Sequence, residues 1–497
     1  MNRIIVKQTV IASPGGAKQS PRLRSLFRAL GLLRFARNDD RCGIWNFKFF
    51  LLLVSCFLLL SSSAHAMGRR PRTPEIPPEP AAVQPTENPR LTLWDCYELA
   101  LEQSETVAIQ KEEIEEAEAQ FFIATGEAVG DVNLLMTQQF QDIQKGGGGS
   151  DGSVGSSASD PDRRERRFVI NQPLFRGFRA LGALMGAGSL KKEQREEWLR
   201  AKQLLFLDVA RAFYGLLKQK RELETIEGIR LLFEERIQEL HGREQIGRSR
   251  PSEVATAMAR LKTIEADLAK SRGTFKAAQH LLEFLIGTPF DISLLAEEEL
   301  PNELHDLGVY LETLEERPDV EAARQAMNIA KQAIVVAQSG FWPEISVDHT
   351  QYERREGFQS NMDWNLFLTF DIPIFKGGET WGLVKEARSQ WKQAKFAHAL
   401  AKRRAELEVK QAYESWFSSL EEYRALEEAL KASQENFRLQ KEEYNRNLVG
   451  NLDVLSALES LFDTRRQTNA TRYQMKENYW SLQVAAGQCC EAGGSSP

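Results

Sequence analysis

Histidines, cysteines and paired carboxylates are the residues with which this chain could do chemistry, and their spacing argues against it. The six histidines, His65, His241, His280, His305, His349 and His398, are scattered through the sequence. They form no His-Glu-x-x-His pair and no zinc-ligand spacing, and there is no glycine-rich phosphate loop. Acidic pairs such as Glu234-Glu235 and Glu421-Glu422 fall in charge-rich helical stretches and read as solvated faces. The cysteines make neither a Cys-x-x-Cys motif nor an even framework, so disulfides do not hold the fold together, and Cys489-Cys490 read as idle thiols near a terminus. The chain therefore reads as no enzyme, with no cofactor and no metal site. Its formal net charge of −6 is well mixed along the sequence, which gives no basis for binding nucleic acid. One run is strongly basic: Arg163, Arg164, Arg166 and Arg167. It reads either as a contact for lipid phosphates or as the solvated base of a loop.

What positions these residues is a repeated pattern of strands and long helices. Ile345 to Tyr352 and Trp364 to Ile372 are strand-like. In the second run Trp364, Leu366, Leu368, Phe370 and Ile372 alternate with residues that are polar except for Phe367, so one face is apolar and the other mainly polar. Pro373-Ile374-Phe375-Lys376-Gly377 follows as a stop for the strand, and a long helical pattern begins. The same order occurs 200 residues earlier. Val132 to Gln141 and Phe168 to Asn171 are strand-like, then comes Pro173-Leu174-Phe175-Arg176-Gly177 and another long helix. Glu253-Val254 and Asp453-Val454, and Gly287 and Gly487, stand at the same offset. Such self-similarity predicts a tandem duplication of one unit: helix, two strands, long helix, second helix.

The N-terminal part is read separately. Phe49 to Leu60, interrupted only by Ser55, is too short to span a bilayer as a helix. It fits the apolar core of a secretory signal within 46–66, with Ala64-His65-Ala66 as the cleavage site and Met67 as the first mature residue. The competing reading is a lipoprotein signal, Leu53-Val54-Ser55-Cys56, with Cys56 acylated. Residues 1–45 read as a start codon assigned too far upstream, and 67–90 as a proline-rich linker. Residues 91–287 are the expected first repeat, 288–316 a connector, 317–487 the second repeat, and 488–497 a disordered tail.

Within the first repeat, Thr92 is the expected N-cap of a helix reaching about Thr125, with Asp95 in the capping-box position. Gly126 and Gly130 are expected to release that helix into the first strand. Lys145 to Arg167 reads as a flexible hairpin loop. The long helix after Gly177 is expected to run to about Ile246, with coiled-coil spacing at Ile226, Ile229, Phe233, Ile237 and Leu240. It breaks at Gly247-Arg248-Ser249-Arg250-Pro251, and Ser252 is the expected cap of the return helix. That helix carries a strict seven-residue row, Val254, Leu261, Leu268, Phe275, Leu282. In the second repeat, Arg317-Pro318-Asp319-Val320 opens the counterpart of the Thr92 helix. A long helix runs from about Glu379 to Asn447, Val449-Gly450-Asn451 is its turn, and Val454, Leu461, Thr468, Met475 and Leu482 repeat the seam.

Two strands per repeat make four per chain, too few to close a barrel, since membrane barrels begin at about eight strands. Open strand edges are costly in lipid. A membrane reading therefore demands several copies of the chain. A second class, a periplasmic coiled-coil adaptor or scaffold, would explain the helices but not amphipathic strands in both repeats.

The pattern resembles the TolC-like outer-membrane efflux protein family from about Leu91 to Gly487. The matching residues are Leu91-Thr92-Leu93, the Arg317-Pro318-Asp319-Val320 helix start, the paired strand exits at Pro173/Gly177 and Pro373/Gly377, and the helical tips ending Glu253-Val254 and Asp453-Val454-Leu455. The resemblance implies a mainly α fold with membrane β: a homotrimer sharing one twelve-stranded outer-membrane barrel, continued by a helical coiled-coil tunnel in the periplasm. It implies an outer-membrane channel of a tripartite efflux or type I secretion system, seated in outer-membrane lipid. A periplasmic adaptor (membrane fusion protein) and an inner-membrane pump would be its partners, with the adaptor docking at the helical tips, Gly247, Glu253, Asn447 and Gly450. It places Asp453 at a periplasmic constriction, where three copies would form an anionic ring. Ser456 stands where the best-known members carry a second acid. Tyr444 matches a tyrosine in the network that holds the tip shut. Asp453 as a plain helix cap and Tyr444 as plain packing are the alternative readings.

Overall fold

The computed structural model describes residues 91–140, 162–297, 299–300, 305–356 and 361–488. The signal, the upstream segment, the linker, Cys56, Cys489-Cys490 and most of the expected hairpin loop lie outside these residues.

The first repeat contains α1 (Leu93–Gln103), α2 (Glu105–Val129), β1 (Asp131–Phe140), β2 (Asp162–Arg176), α3 (Arg179–Gln245) and α4 (Pro251–Ile286). The second contains α5 (Leu307–Glu312), α6 (Pro318–Gln338), β3 (Glu344–Arg355), β4 (Trp364–Asp371), α7 (Glu379–Asn445) and α8 (Asn451–Ala485), with short 3-10 turns between. The backbone repeats at the 200-residue offset. Positive φ occurs at Gly177 and Gly377, Phe178 and Gly378, Gly247 and Asn447, and Gly287 and Gly487. Helices α3 and α7 each have 67 residues, a length on the order of 100 Å.

Several expectations are corrected. Where one helix was expected from Thr92 to Thr125, there are two. The Thr92–Asp95 capping box opens α1, but Ser104 adopts extended backbone and accepts a bond from the Val107 N–H at 3.3 Å, starting α2. Gly126 stays inside α2, and only Gly130 releases it. Strand β2 is 15 residues long. It absorbs Arg163 to Arg167, expected in a loop, because both flanks pair: Arg164 faces Gln138 on β1, and Arg167 faces Tyr352 on β3. Pro173 does not stop β2. It lies at a bulge, where the register shifts between Pro173 and Phe175 and its missing N–H is tolerated. Pro373 does follow the end of β4. Helix α4 is capped at Arg250 with Pro251 as its first residue, where no N–H is needed, so Ser252 lies inside the helix. The Arg317 helix is also not the partner of the Thr92 helix. Gly487 packs on Arg317 as Gly287 packs on Gln103, so α6 corresponds to α2, and the short α5 to α1.

The four strands form one antiparallel sheet in the order β1-β2-β3-β4, with β2–β3 joining the repeats. The register puts Val132, Ile170, His349 and Leu366 in one row, and Leu134, Phe168, Gln351 and Trp364 in the next on the same face. The opposite face carries Asp131, Asn171, Asp348 and Phe367 in one row and Asn133, Val169, Thr350 and Asn365 in another. Asn171 Nδ2 donates to Asp131 Oδ2 at 3.1 Å, and Asn365 Nδ2 to the Tyr352 hydroxyl at 3.2 Å. The sheet is thus mainly apolar on one side, mainly polar and hydrogen-bonded on the other, and open at both edges within the chain.

The helical cores follow the seven-residue rows. Val254, Leu261, Leu268 and Leu282 on α4, and all five seam residues on α8, are buried, while Phe275 is half-buried against the core. Each such aliphatic side chain contributes about 1.5–3 kcal/mol by leaving water. Arg317 is among the largest fully buried side chains. Its guanidinium donates to Asp319 at 2.9 and 2.6 Å, to the Ala485 carbonyl at 2.7 Å and to Glu408 at 2.8 Å. The segment after α4 is fastened to α8 by Glu297, which accepts from Lys476 at 2.7 Å and pairs with Arg472 at 3.0 Å.

Candidate functional site: the paired helical tips

The two long hairpins turn by the same backbone device. At the first tip the Arg248 N–H bonds to the Arg243 carbonyl at 2.8 Å, and the Gly247 N–H to Glu244 at 2.8 Å. At the second the Leu448 N–H bonds to Glu443 at 2.9 Å, and the Asn447 N–H to Tyr444 at 3.0 Å. Both are Schellman closures, which need a left-handed residue after the helix. Gly247 supplies it with φ 74°, and Asn447 with φ 58°, the latter at an acceptable cost because asparagine tolerates this region.

The return helices start differently. At the second tip, Asp453 accepts the Gly450 N–H at 2.9 Å while remaining exposed. Glu253, its counterpart, accepts instead from the Ser249 hydroxyl at 2.7 Å. Ser456 is also exposed, one turn beyond Asp453 on the same strip. The cap expected of Asp453 is present, and its carboxylate also faces outward from the chain.

Tyr444 is buried at the centre of a network that joins the repeats. Its ring lies between two guanidiniums of α3, with the Arg236 carbon 3.9 Å and the Arg243 carbon 4.1 Å from the ring centroid. Arg236 is buried and donates through Nε and Nη2 to Asn451 Oδ1 at 3.0 and 2.7 Å. Arg243 donates to Asn445 Oδ1 at 3.0 Å. Glu239 binds both arginines, at 2.6 Å to Arg236 and 3.2 Å to Arg243. A ring between two cations is stabilised by its quadrupole, about 1–2 kcal/mol per contact when desolvated. Arg236, Glu239 and Arg243 were not singled out from the sequence, and Asn451, read there only as part of the turn, is the first residue of α8. The available signal was Arg236 itself, three residues after Phe233 and four before Leu240, at a core-facing spacing where a charge requires a partner.

At the opposite ends of the long helices, Pro173, Gly177, Pro373 and Gly377 mark the strand exits. A Cβ on Gly177 would lie 2.6 Å from the Ser339 carbonyl. Phe178 holds a left-handed backbone, with its ring edge-on to Phe175 at 5.3 Å and Trp342 at 5.9 Å. Phe375 and Trp381 are largely exposed beside them. The strand exits and the tips are separate sites at opposite ends of the long helices. Among the described residues, no group of His, Cys, Asp or Glu is placed to hold a metal, and no helix is long and apolar enough to cross a membrane.

This architecture, one four-stranded sheet continued by two long helical hairpins, is shared with solved outer-membrane channels. Residues 309–488 match the model of the family described as Outer membrane efflux protein. The chain is 22% identical over 421 residues to the alkaline protease secretion protein AprF of Pseudomonas aeruginosa, covering 81% of this chain and 85% of that protein. It is 25% identical over 235 residues to the cation efflux system protein CusC of Escherichia coli, covering 46% of this chain and 51% of that protein. Its fold matches the crystal structure of the outer membrane protein VceC from Vibrio cholerae with a TM-score of 0.69 at 20% identity, covering 80% of this chain and 96% of that one. The C-terminal half of the chain thus carries the match to the outer membrane efflux protein family, and the chain resembles proteins of secretion and cation efflux systems.

Proposed function

We propose that this chain is the outer-membrane channel of a tripartite efflux or type I secretion system, a passive exit duct for substrates delivered by an inner-membrane pump. The observation that carries the proposal is the four-stranded sheet, apolar on one face and polar on the other, joined directly to paired 67-residue helices. Both edges of that sheet are open, and lipid does not tolerate open edges. Three copies of the chain would close it into one twelve-stranded barrel. The apolar face, with Leu366, Leu368 and Phe370 more than half exposed, would then meet lipid. The face carrying Asp131, Asn171 and Asp348 would line water. From Trp364 to Asp371 the strand reaches about 24 Å, or about 18 Å of height at the usual tilt, within the hydrocarbon band of such barrels. The exposed aromatics at the strand exits fit the membrane interface on the periplasmic side.

The long helices would form the periplasmic tunnel, with residues 91–287 and 317–487 as its two repeats. The tips would be the gate and the surface that meets a periplasmic adaptor. Tyr444, with Arg236 and Arg243, would hold the two hairpins of one chain together. Asp453 would stand near the three-fold axis, where ionised copies repel one another and attract cations. Ser456 adds no second ring charge. A coiled-coil adaptor or scaffold would have no use for a sheet with one mainly apolar, exposed face. Salt washing followed by detergent extraction tests the assignment. The channel stays with outer membranes through a high-salt wash and is released only by detergent, whereas release by salt alone would overturn it.

A further inference from the structure

The run of arginines in β2 is not absorbed by the duct function, and the register gives it two different faces. On the polar face Glu165 is the cross-strand partner of Arg355, and Arg167 Nη1 contacts Glu165 at 3.2 Å, so a carboxylate stands between these two arginines. On the apolar face Arg166 is the cross-strand partner of Arg354. Like charges placed directly opposite destabilise a sheet unless an anion is shared between them. Arg164 follows one row further out on the same face. Glu353 and Glu356 answer these charges in part: Arg166 lies 3.5 Å from Glu353, with both side chains about half exposed, and Arg354 is paired with Glu356 at 2.5 Å. Exposed pairs of this kind are weak, and each guanidinium has five N–H donors.

The position of this pair matters as much as its charge. Arg166 lies two residues beyond Phe168, about 7 Å along the strand, and Phe168 shares its row with Leu134 and Trp364. The apolar row is exposed and gives way immediately to guanidiniums. Strands β2 and β3 contain no lysine among the described residues, although lysine is common elsewhere in the chain. The planar guanidinium fork suits bidentate phosphate binding, which an ammonium does not.

We propose that Arg166 and Arg354, supported by Arg164, bind the phosphate headgroup of an outer-leaflet lipid whose acyl chains lie along Leu134, Phe168 and Trp364. The inference rests on the membrane reading of the sheet. Its test is native mass spectrometry of the purified assembly in mild detergent, titrated with diphosphorylated lipid A. The Arg166→Gln/Arg354→Gln double variant should bind the lipid roughly tenfold more weakly. Arg163→Gln/Arg167→Gln, on the polar face, should bind as the parent does. Arg166→Lys/Arg354→Lys keeps the charge and should fall between, which separates lipid loss from misfolding. Excess inorganic phosphate should leave the lipid bound. Equal loss in both glutamine variants, no loss in either, or displacement by inorganic phosphate would overturn the site. Failure of the membrane reading would look different: a monomeric protein extracted by salt.

Discussion

The two helical tips share a backbone and divide the side chains between them. Each ends a 67-residue helix in the same left-handed closure, with the same pattern of hydrogen bonds. Yet the first tip's helix supplies the cations, Arg236 and Arg243, and the second supplies what they hold: Tyr444, Asn445 and Asn451. The two halves share the turn geometry and carry complementary side chains. The same division is seen at the other end of α8. Gly487 packs against Arg317, which is bonded to three acceptor groups, whereas Gly287 packs against Gln103. Backbone symmetry sets where the hairpins turn, and side-chain asymmetry ties them together.

The largest effect should come from breaking that asymmetry where it is most buried. Arg317→Ala strands Asp319 and the Ala485 carbonyl, and should cost about 3–5 kcal/mol, read as a lowered midpoint in denaturant. Gln103→Ala, at the matching place in the first repeat, should cost far less. The Arg317 cluster also predicts a pH dependence. Burial disfavours the Asp319 carboxylate, but the Arg317 hydrogen bonds and charge outweigh it, and the pKa is lowered. A depressed pKa contributes stability that is present above the unfolded value of about 3.9 and lost as pH falls through the folded one. Acid unfolding of the parent should therefore steepen below about pH 4, and Asp319→Asn should remove that component.

Next in size is the tip. Arg236→Ala leaves the buried Asn451 oxygen without its donor and should cost about 2–3 kcal/mol. The loss should appear as faster amide exchange at both tips and as higher conductance in planar bilayers. Unchanged exchange at the second tip would mean that the network does not couple the repeats.

A third prediction concerns α3 nearer the strands. Burial, and then the charge of Glu197, raise the Glu193 pKa to about 7. The folded state thus holds a proton that the unfolded state releases above its own pKa of about 4.5. Stability falls as pH rises from there to about 7, and the penalty persists at higher pH. Glu193→Gln should raise the melting temperature at pH 8 and change it little at pH 4, as scanning calorimetry would record.

The smallest effects should separate the turn from the network. Gly247→Asn copies the residue used at the second tip and should cost only a few tenths of a kcal/mol, whereas Gly247→Val, β-branched at positive φ, should cost about 1–2 kcal/mol. Equal melting temperatures for the two variants would show that the left-handed closure carries no strain.

The elements that were legible in the sequence are those whose period is local. The alternation in Trp364 to Phe370 and the seven-residue rows of α4 and α8 read directly as faces. The Thr92–Asp95 box and the break at Gly247 read as capping and turn chemistry. What was not legible depends on partners distant in sequence. Arg163 to Arg167 and Pro173 carry loop and stop signals, and only pairing with β3 draws them into a strand. The Arg317 motif was visible as a helix start, but its acceptors lie 91 and 168 residues away, on α7 and α8. The tip site was half legible. Tyr444 and Asp453 came from a family resemblance, while the Arg236–Asn451 bond, spanning 215 residues, had no signal beyond a charge at a core spacing.

The central claim is that the sheet of one chain is completed by other copies of it. Native mass spectrometry of the protein purified in mild detergent measures this directly. A single species at three times the chain mass, resistant to dilution, is the predicted result. A stable monomer that retains its strand content would contradict the barrel and the duct built on it.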